Sequence, residues 1–432
     1  MIMRCCLIIC AAASLKGRKK LKSIVSFALV FLSFLLVFTS CSKAVTDDGV
    51  CNSPFFVNHH SDYVESGNIM YFVQQRGHYS DGATYIDAYL ISSLDTATGE
   101  CMPLCGKPEC LHNDMECNAY IGTSGIWLML YNGRLYWLEG NYNNTTLYSM
   151  NIDGTGRKKE MPVDPELFKL AYGMGTAEII DNVLYICGTA ESVKNGKIIR
   201  SAVVFKQSFD ESKGELIYRI DDCVEAFGRI MDGKLYFAIS EEYSEDEDKP
   251  LSTMLFSYDI KSGELLELYS NAEPNAAYQY IIAADGMVYL FGFDRGLVYS
   301  CADDRVSVLN TVGQTSTNVG DGYYMCWEMG GKYTVRDMQG NTLYSGVFPP
   351  ENAPSFPDAL WGRSYIGSSG KKMYYQIDFI RQDGPAIRDI VEFDIETHDV
   401  RVLFNSQENQ ELICKGWFLP SNTYDCGSFV VN

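Results

Sequence analysis

Histidine is scarce in this chain of 432 residues, basic side chains are outnumbered, and long helical periodicity is missing. Each shortage closes off a class of protein. With five histidines and no His-Glu-x-x-His, there is no helix that could present a metalloprotease zinc. Neither a P-loop nor a dinucleotide fingerprint occurs. Gly122-Thr-Ser-Gly and Gly367-Ser-Ser-Gly370 miss the Gly-x-Ser-x-Gly of a nucleophile elbow, and no hydrolase domain surrounds them. No window shows an apolar rhythm of 3.6 residues, which excludes a helical core. The 35 Lys/Arg against 55 Asp/Glu argue against nucleic acid as a partner, because affinity there comes chiefly from neutralising phosphates.

What the chain has in plenty is tyrosine, 29 in all, within an aromatic content of 13%. Seven times a short turn of the Asp-Gly, Asn-Gly or Gly-Lys kind leads into a clipped apolar burst centred on tyrosine. Taking Tyr71, Tyr136, Tyr185, Tyr236, Tyr289, Tyr324 and Tyr374 as the centres, successive steps are 65, 49, 51, 53, 35 and 50 residues. That is the period of a four-stranded propeller blade. One unit shows the grammar. Ala177-Glu-Ile-Ile turns at Asp181-Asn182 into Val183-Leu184-Tyr185-Ile186-Cys187, a polar loop follows from Glu191 to Lys197, then Ser201 to Phe205, a turn at Ser212-Lys213-Gly214, and Glu215 to Tyr218. The second strand is apolar on both faces, as a strand sandwiched between neighbouring sheets must be. With sparse proline and Tyr-rich strands, the chain is expected to be all-β, a seven-bladed β-propeller with four-stranded blades over 59–432. Cys187 and Cys326, two residues beyond the repeat tyrosines, read as small core hydrophobes.

Ahead of the repeat, Lys16-Gly-Arg-Lys-Lys-Leu-Lys22 is a cationic patch, followed by an uncharged apolar stretch from Ser23 to Phe38 and then Thr39-Ser40-Cys41. This is the layout of an export signal over 1–41, with an uncleaved membrane anchor as the competing reading. Phe-Thr-Ser-Cys41 resembles the bacterial lipobox, which implies lipidation of Cys41, anchoring at the outer face of the bacterial cell membrane, and a polar tether over 42–58 leading into the first blade. Residues 1–14 read as a start assigned upstream of the true one. Residues 1–40 hold six of the Lys/Arg and no acid, so the remainder has 29 basic against 55 acidic side chains, a net charge of −26. The acidic run Glu241 to Asp248 lacks the spaced order of a calcium loop and reads as a solvated hairpin loop.

One segment asks for chemistry. Cys105-Gly-Lys-Pro-Glu-Cys110-Leu-His112-Asn-Asp-Met-Glu-Cys117, with Cys101 upstream, falls where the repeat step is 65 residues. Three thiols and an imidazole could fill a tetrahedral structural zinc shell. In an exported protein, disulfides among Cys101, Cys105, Cys110 and Cys117 are an equal alternative. Either way the segment is an insertion over 101–117 that staples a connecting loop. No other cofactor is implied. Cys51, Cys414 and Cys426 lie near the two ends, where a bridge could help close the ring. So could strand exchange through Phe55-Phe56-Val57 or Ser428-Phe429-Val430-Val431.

The Leu147-Tyr148-Ser-Met-Asn-Ile-Asp153-Gly154-Thr155 passage, with Leu135-Tyr136-Trp137 before it, resembles the YWTD-type propeller repeat of low-density-lipoprotein receptors and the bacterial DUF5050 propellers. The cysteine insertion is similar to a segment in lipoproteins of Gram-positive gut bacteria that carry such propellers. The resemblance implies a surface-exposed propeller that contacts other macromolecules or glycans, with no activity attached. The expected function is therefore a non-catalytic binding or scaffold lipoprotein, monomeric, whose loops at one face grip a protein, peptide or glycan, with Trp361 and Trp417 as exposed candidates. The alternative is a carbohydrate-active or other hydrolytic enzyme using paired carboxylates in the central channel. His59, His60, His78 and His398 read as solvated loop and turn residues.

Overall fold

The computed structural model describes residues 64–405, apart from intervals between strands, the longer ones at 122–127, 168–174, 241–249, 311–315, 348–358 and 382–386. Among the described residues twenty-nine strands form seven antiparallel sheets, each in chain order except that the fifth strand of the first sheet pairs with the third. Blade 1 holds β1 (Val64–Ser66), β2 (Ile69–Ser80), β3 (Ala83–Asp95), β4 (Cys101–Pro103) and β5 (Tyr120–Ile121). Blade 2 holds β6 (Leu128–Tyr131), β7 (Arg134–Glu139), β8 (Thr146–Asn151) and β9 (Lys158–Pro162). Blades 3 to 7 follow at 176–221, 225–274, 278–310, 316–347 and 359–405. The molecule is a seven-bladed β-propeller.

The tyrosine bursts are the second strands. Each is entered through a two-residue hairpin, and in four blades both turn residues with described angles sit at positive φ. These are Asn132 and Gly133 (48° and 70°), Asp181 and Asn182 (51° and 60°), Asp232 and Gly233 (51° and 75°), and Asp285 and Gly286 (53° and 73°). A type I′ turn demands this, which is why Asn, Asp and Gly recur there. The second strands are buried on both faces because alternate side chains serve two different seams. Leu135 and Trp137 pack toward blade 1 while Tyr136 and Leu138 pack toward blade 3. Leu184 and Ile186 face blade 2, and Tyr185 and Cys187 face blade 4. The rule continues around the ring, and every seam has its own apolar cluster.

Counting from the turn corrects one centre. In blade 6, Gly320 pairs with Tyr323 across the hairpin, which places Met325, not Tyr324, where the other blades carry tyrosine. Tyr324 faces back toward blade 5 with Tyr289 and Phe291, while Tyr323 and Met325 face forward to blade 7. Cys187 and Cys326 are both buried, each in a seam cluster, as small core hydrophobes should be.

Several loops expected from the sequence are strand. The Glu191–Lys197 stretch is mostly hairpin, with strands Val183–Lys194 and Lys197–Ser208. His78 lies in β2, and Trp361 lies in strand Ala359–Ser369, its backbone opposite Phe379. The long inner hairpins of these blades run further than the polarity of their tips suggests, because ladder pairing continues past the apolar section.

Among the described residues, blades 1 and 7 each take their strands from one continuous run of chain. Both segments expected to offer an exchanged strand, Phe55-Phe56-Val57 and Ser428-Phe429-Val430-Val431, lie outside the described residues. The closing seam is apolar, made by Met70, Phe72, Leu94 and Cys101 of blade 1 against Tyr374 and Ile390 of blade 7, with Leu403 alongside. An Arg401 Nη2 hydrogen bond to Thr96 O (3.1 Å) joins the outer edge. The expected signal and lipobox (1–41), the tether, Cys51, Cys414, Cys426, Trp417, His59, His60 and the acidic run at 241–248 lie outside the described residues. Among the described residues no helix is long and apolar enough to cross a membrane.

Candidate metal centre and the buried acids

The cysteine segment interrupts a strand, where the sequence suggested a connecting loop. Leu94, Ser93 and Ser92 of β3 pair with Cys101, Met102 and Pro103 of β4, and further along the same edge Leu90 and Tyr89 pair with Tyr120 and Ile121 of β5. Between them Ile91 bonds to both pieces, accepting from Leu104 N (2.8 Å) and donating to Ala119 O (2.9 Å). The fourth strand of blade 1 is thus one line broken at a single point, from which residues 105–118 are extruded.

Within that extrusion the ligand atoms of Cys105, Cys110, His112 and Cys117 all lie within 4.8 Å of one another. His112 Nδ1 is 3.2 Å from Cys117 Sγ. Glu109 and His112 are held at positive φ (58° and 53°), so the chain curls tightly enough to turn all four inward. Cys117 and His112 are buried, Cys105 and Cys110 half-buried, and the thiols rest on Leu90 and Ala119. Cys101 is not among them: it is buried in the closing seam with blade 7.

Backbone donors face two of the sulfurs. Burial pushes the Cys105 thiol up, but the N–H groups of Lys107 and Asn118, with the Cys117 and Cys110 thiols, outweigh it and bring it below its ordinary value. Burial pushes the Cys117 thiol up to about 12 against the Ala119 N–H, and a charge on Cys105 adds to the rise. Burial alone holds Cys101 up to about 12. In both of the first two cases a donor sits two residues after the cysteine, and such donors stabilise thiolate sulfur.

Blade 2 grips the extrusion from outside, chiefly through Arg157 and Glu139, which the sequence gave no reason to single out. Arg157 donates to the carbonyls of Cys117 (3.2 Å), Asn118 (3.4 Å) and Tyr120 (2.6 Å) and pairs with Glu139 at 2.7 Å. Its guanidinium carbon lies 5.3 Å and 5.1 Å from the Trp137 and Tyr148 ring centres. The β8–β9 turn also touches it: Gly106 N and Asn118 Nδ2 both donate to Gly154 O, at 3.1 and 2.7 Å. Gly154 is at φ +79°, and a Cβ there would stand 2.8 Å from Gly106 N and Leu104 C. Only glycine fits.

The other chemistry in question is a carboxylate pair. Glu139, Asp164 and Glu392 are the buried acids among the described residues. Glu139 pairs with Arg157, Asp164 with Lys213 (3.7 Å), and Glu392 with Lys372 (3.1 Å) and Arg401 (3.3 Å). Glu178, partly covered on the first strand of blade 3, meets Arg229 of blade 4 at 3.1 Å, and burial still pushes its carboxyl up.

No family model and no curated protein matches the chain. Among solved structures, it is similar to the Pyrococcus horikoshii acylaminoacyl peptidase, at 12% identity and a TM-score of 0.48 over 81% of this chain. The chain spans about half (53%) of that peptidase's length. It is also similar to the β-propeller domain of the Trilobed protease from Pyrococcus furiosus (11% identity, TM-score 0.45, 80% of this chain and 97% of that one). A third likeness is to BamB from Moraxella catarrhalis (10%, TM-score 0.38, 76% and 95%). No chemistry passes from them to this chain.

Proposed function

We propose that this chain is a non-catalytic binding or scaffold propeller, exported and held at the outer face of the cell membrane through lipid on Cys41, with a protein, peptide or glycan partner at the loops of one face. The observation that carries the non-catalytic part is the pairing of the buried acids. Among the described residues, each buried acid is paired with cations: Glu139 with Arg157, Asp164 with Lys213, and Glu392 with Lys372 and Arg401. A glycosidase needs two carboxyls about 5 to 10 Å apart, one of them kept protonated. The net charge of −26 beyond residue 40 supports a partner other than nucleic acid.

The test is a panel of chromogenic glycosides and peptide esters offered to the purified chain, alongside metabolic labelling with a fatty acid in the wild type and Cys41→Ser. No turnover, with label incorporated only by the wild type, is expected. Turnover abolished by Glu178→Gln or Glu392→Gln would overturn the non-catalytic reading, and equal labelling of Cys41→Ser would overturn the anchor.

A further inference from the structure

The four converging side chains of the extruded segment define a site of their own. We propose that Cys105, Cys110, His112 and Cys117 hold one zinc ion in a closed tetrahedral shell, and that the ion fastens the fourth strand of blade 1 across its interruption. Zinc takes sulfur at about 2.3 Å and imidazole nitrogen at about 2.0 Å, which sets ligand-to-ligand separations of roughly 3.5 to 3.8 Å. A group whose ligand atoms all lie within 4.8 Å, with one pair at 3.2 Å, is already gathered to that scale. Three thiols are an odd number. A disulfide among them leaves one thiol and the imidazole without a role, and Cys101, the fourth thiol such a scheme needs, is turned into the seam with blade 7. A tetrahedral ion uses all four groups.

The surroundings are those of a metal loop. Main-chain N–H groups of Lys107 and Asn118 face the Cys105 sulfur, and that of Ala119 faces the Cys117 sulfur. The set is complete in sulfur and nitrogen, so no position is left for a reactive water, and the site is structural. As the ion binds, any protons remaining on the three thiols pass to solvent.

The ion's mechanical role follows from topology. Leu104 and Ala119 are both bonded to Ile91, so the ends of the extrusion must stay side by side for β4 and β5 to act as one strand. Arg157 and Gly154 of blade 2 then clasp the closed loop from the other side. Zinc closing the loop therefore orders the blade 1–blade 2 seam.

The test uses the full chain in detergent, loaded with Zn²⁺ and desalted. Elemental analysis is expected to give one zinc per chain in the wild type and in Cys101→Ser, and less than a tenth of that in Cys110→Ser. Chelation of the wild type, which avoids any folding defect of a variant, is expected to raise amide exchange at Tyr120–Ile121 at least tenfold and leave blade 4 unchanged. Zinc retained by Cys110→Ser, zinc lost by Cys101→Ser, or a mass showing two of the three thiols joined would overturn the site. Removal of zinc with no change in exchange at Tyr120–Ile121 would overturn its fastening role.

Discussion

At the scale of single residues, the clasp of blade 2 on the extruded loop depends on two positions with no tolerance. Gly154 combines a left-handed backbone with contacts that a methyl would violate. Gly154→Ala is expected to cost about 1–3 kcal/mol, read as a drop in the urea midpoint with unchanged slope. Arg157 holds three carbonyls and the Glu139 carboxylate. Its removal strands a buried negative charge, so Arg157→Ala should cost about 3–5 kcal/mol. Adding Glu139→Gln to that variant should recover part of the loss, and full additivity of the two substitutions would contradict the pairing. Gly154 stood out only as part of a repeat turn, and Arg157 could not be picked out beforehand. Arg157 lies 37 to 40 positions from the carbonyls it serves, and its stacking on Trp137 and Tyr148 follows no local pattern.

At the scale of the element, an aspartate turn between third and fourth strands recurs in five of the seven blades. Asp95, Asp153, Asp259, Asp337 and Asp394 each accept backbone N–H groups two to four residues ahead, from Ala97 and Thr98, Thr155, Lys261 and Ser262, Gln339 and Asn341, and Glu396 and Thr397. These are Asx turns. At Asp95 and Asp259 the backbone donors lead in pulling the carboxyl below its ordinary value, and at Asp153 the Thr155 hydroxyl does. At Asp337 and Asp394 burial pushes up but the donors outweigh it. A carboxyl whose folded pKa is depressed contributes stability above its unfolded value of about 3.9 and loses it as pH falls through the folded value. The urea midpoint should therefore fall steeply below about pH 4, and Asp259→Asn with Asp394→Asn should flatten that limb; an unaltered slope would contradict the turn assignment. The bursts were legible in the sequence because a strand buried on both faces must be continuously apolar. The break in the fourth strand was not, because β4 and β5 are three and two residues long and a pairing that short leaves no period to read. Met325 escaped for a related reason: two tyrosines beside it carried the expected chemistry into the wrong register.

At the scale of the whole molecule, seven seams of one design make the ring, and the seam between blades 7 and 1 is closed by apolar packing and Arg401. Tyr374 is almost wholly buried there, its hydroxyl 3.3 Å from Glu392. Tyr374→Ala should cost about 3–5 kcal/mol and raise amide exchange first in strands on either side of that seam. Exchange rising equally in all blades would mean that the ring has no weakest joint. Six seams lie between blades adjacent in sequence, so their existence follows from the repeat alone. The residues of the closing seam were not legible, since nothing in a linear pattern says which side chains of the last blade meet the first.

X-ray absorption at the zinc edge of the loaded full chain tests most directly the cysteine site where the repeat is interrupted. The predicted shell is three sulfurs at about 2.3 Å and one imidazole nitrogen at about 2.0 Å, with no oxygen. A shell containing oxygen, or one with two sulfurs or fewer, would contradict it.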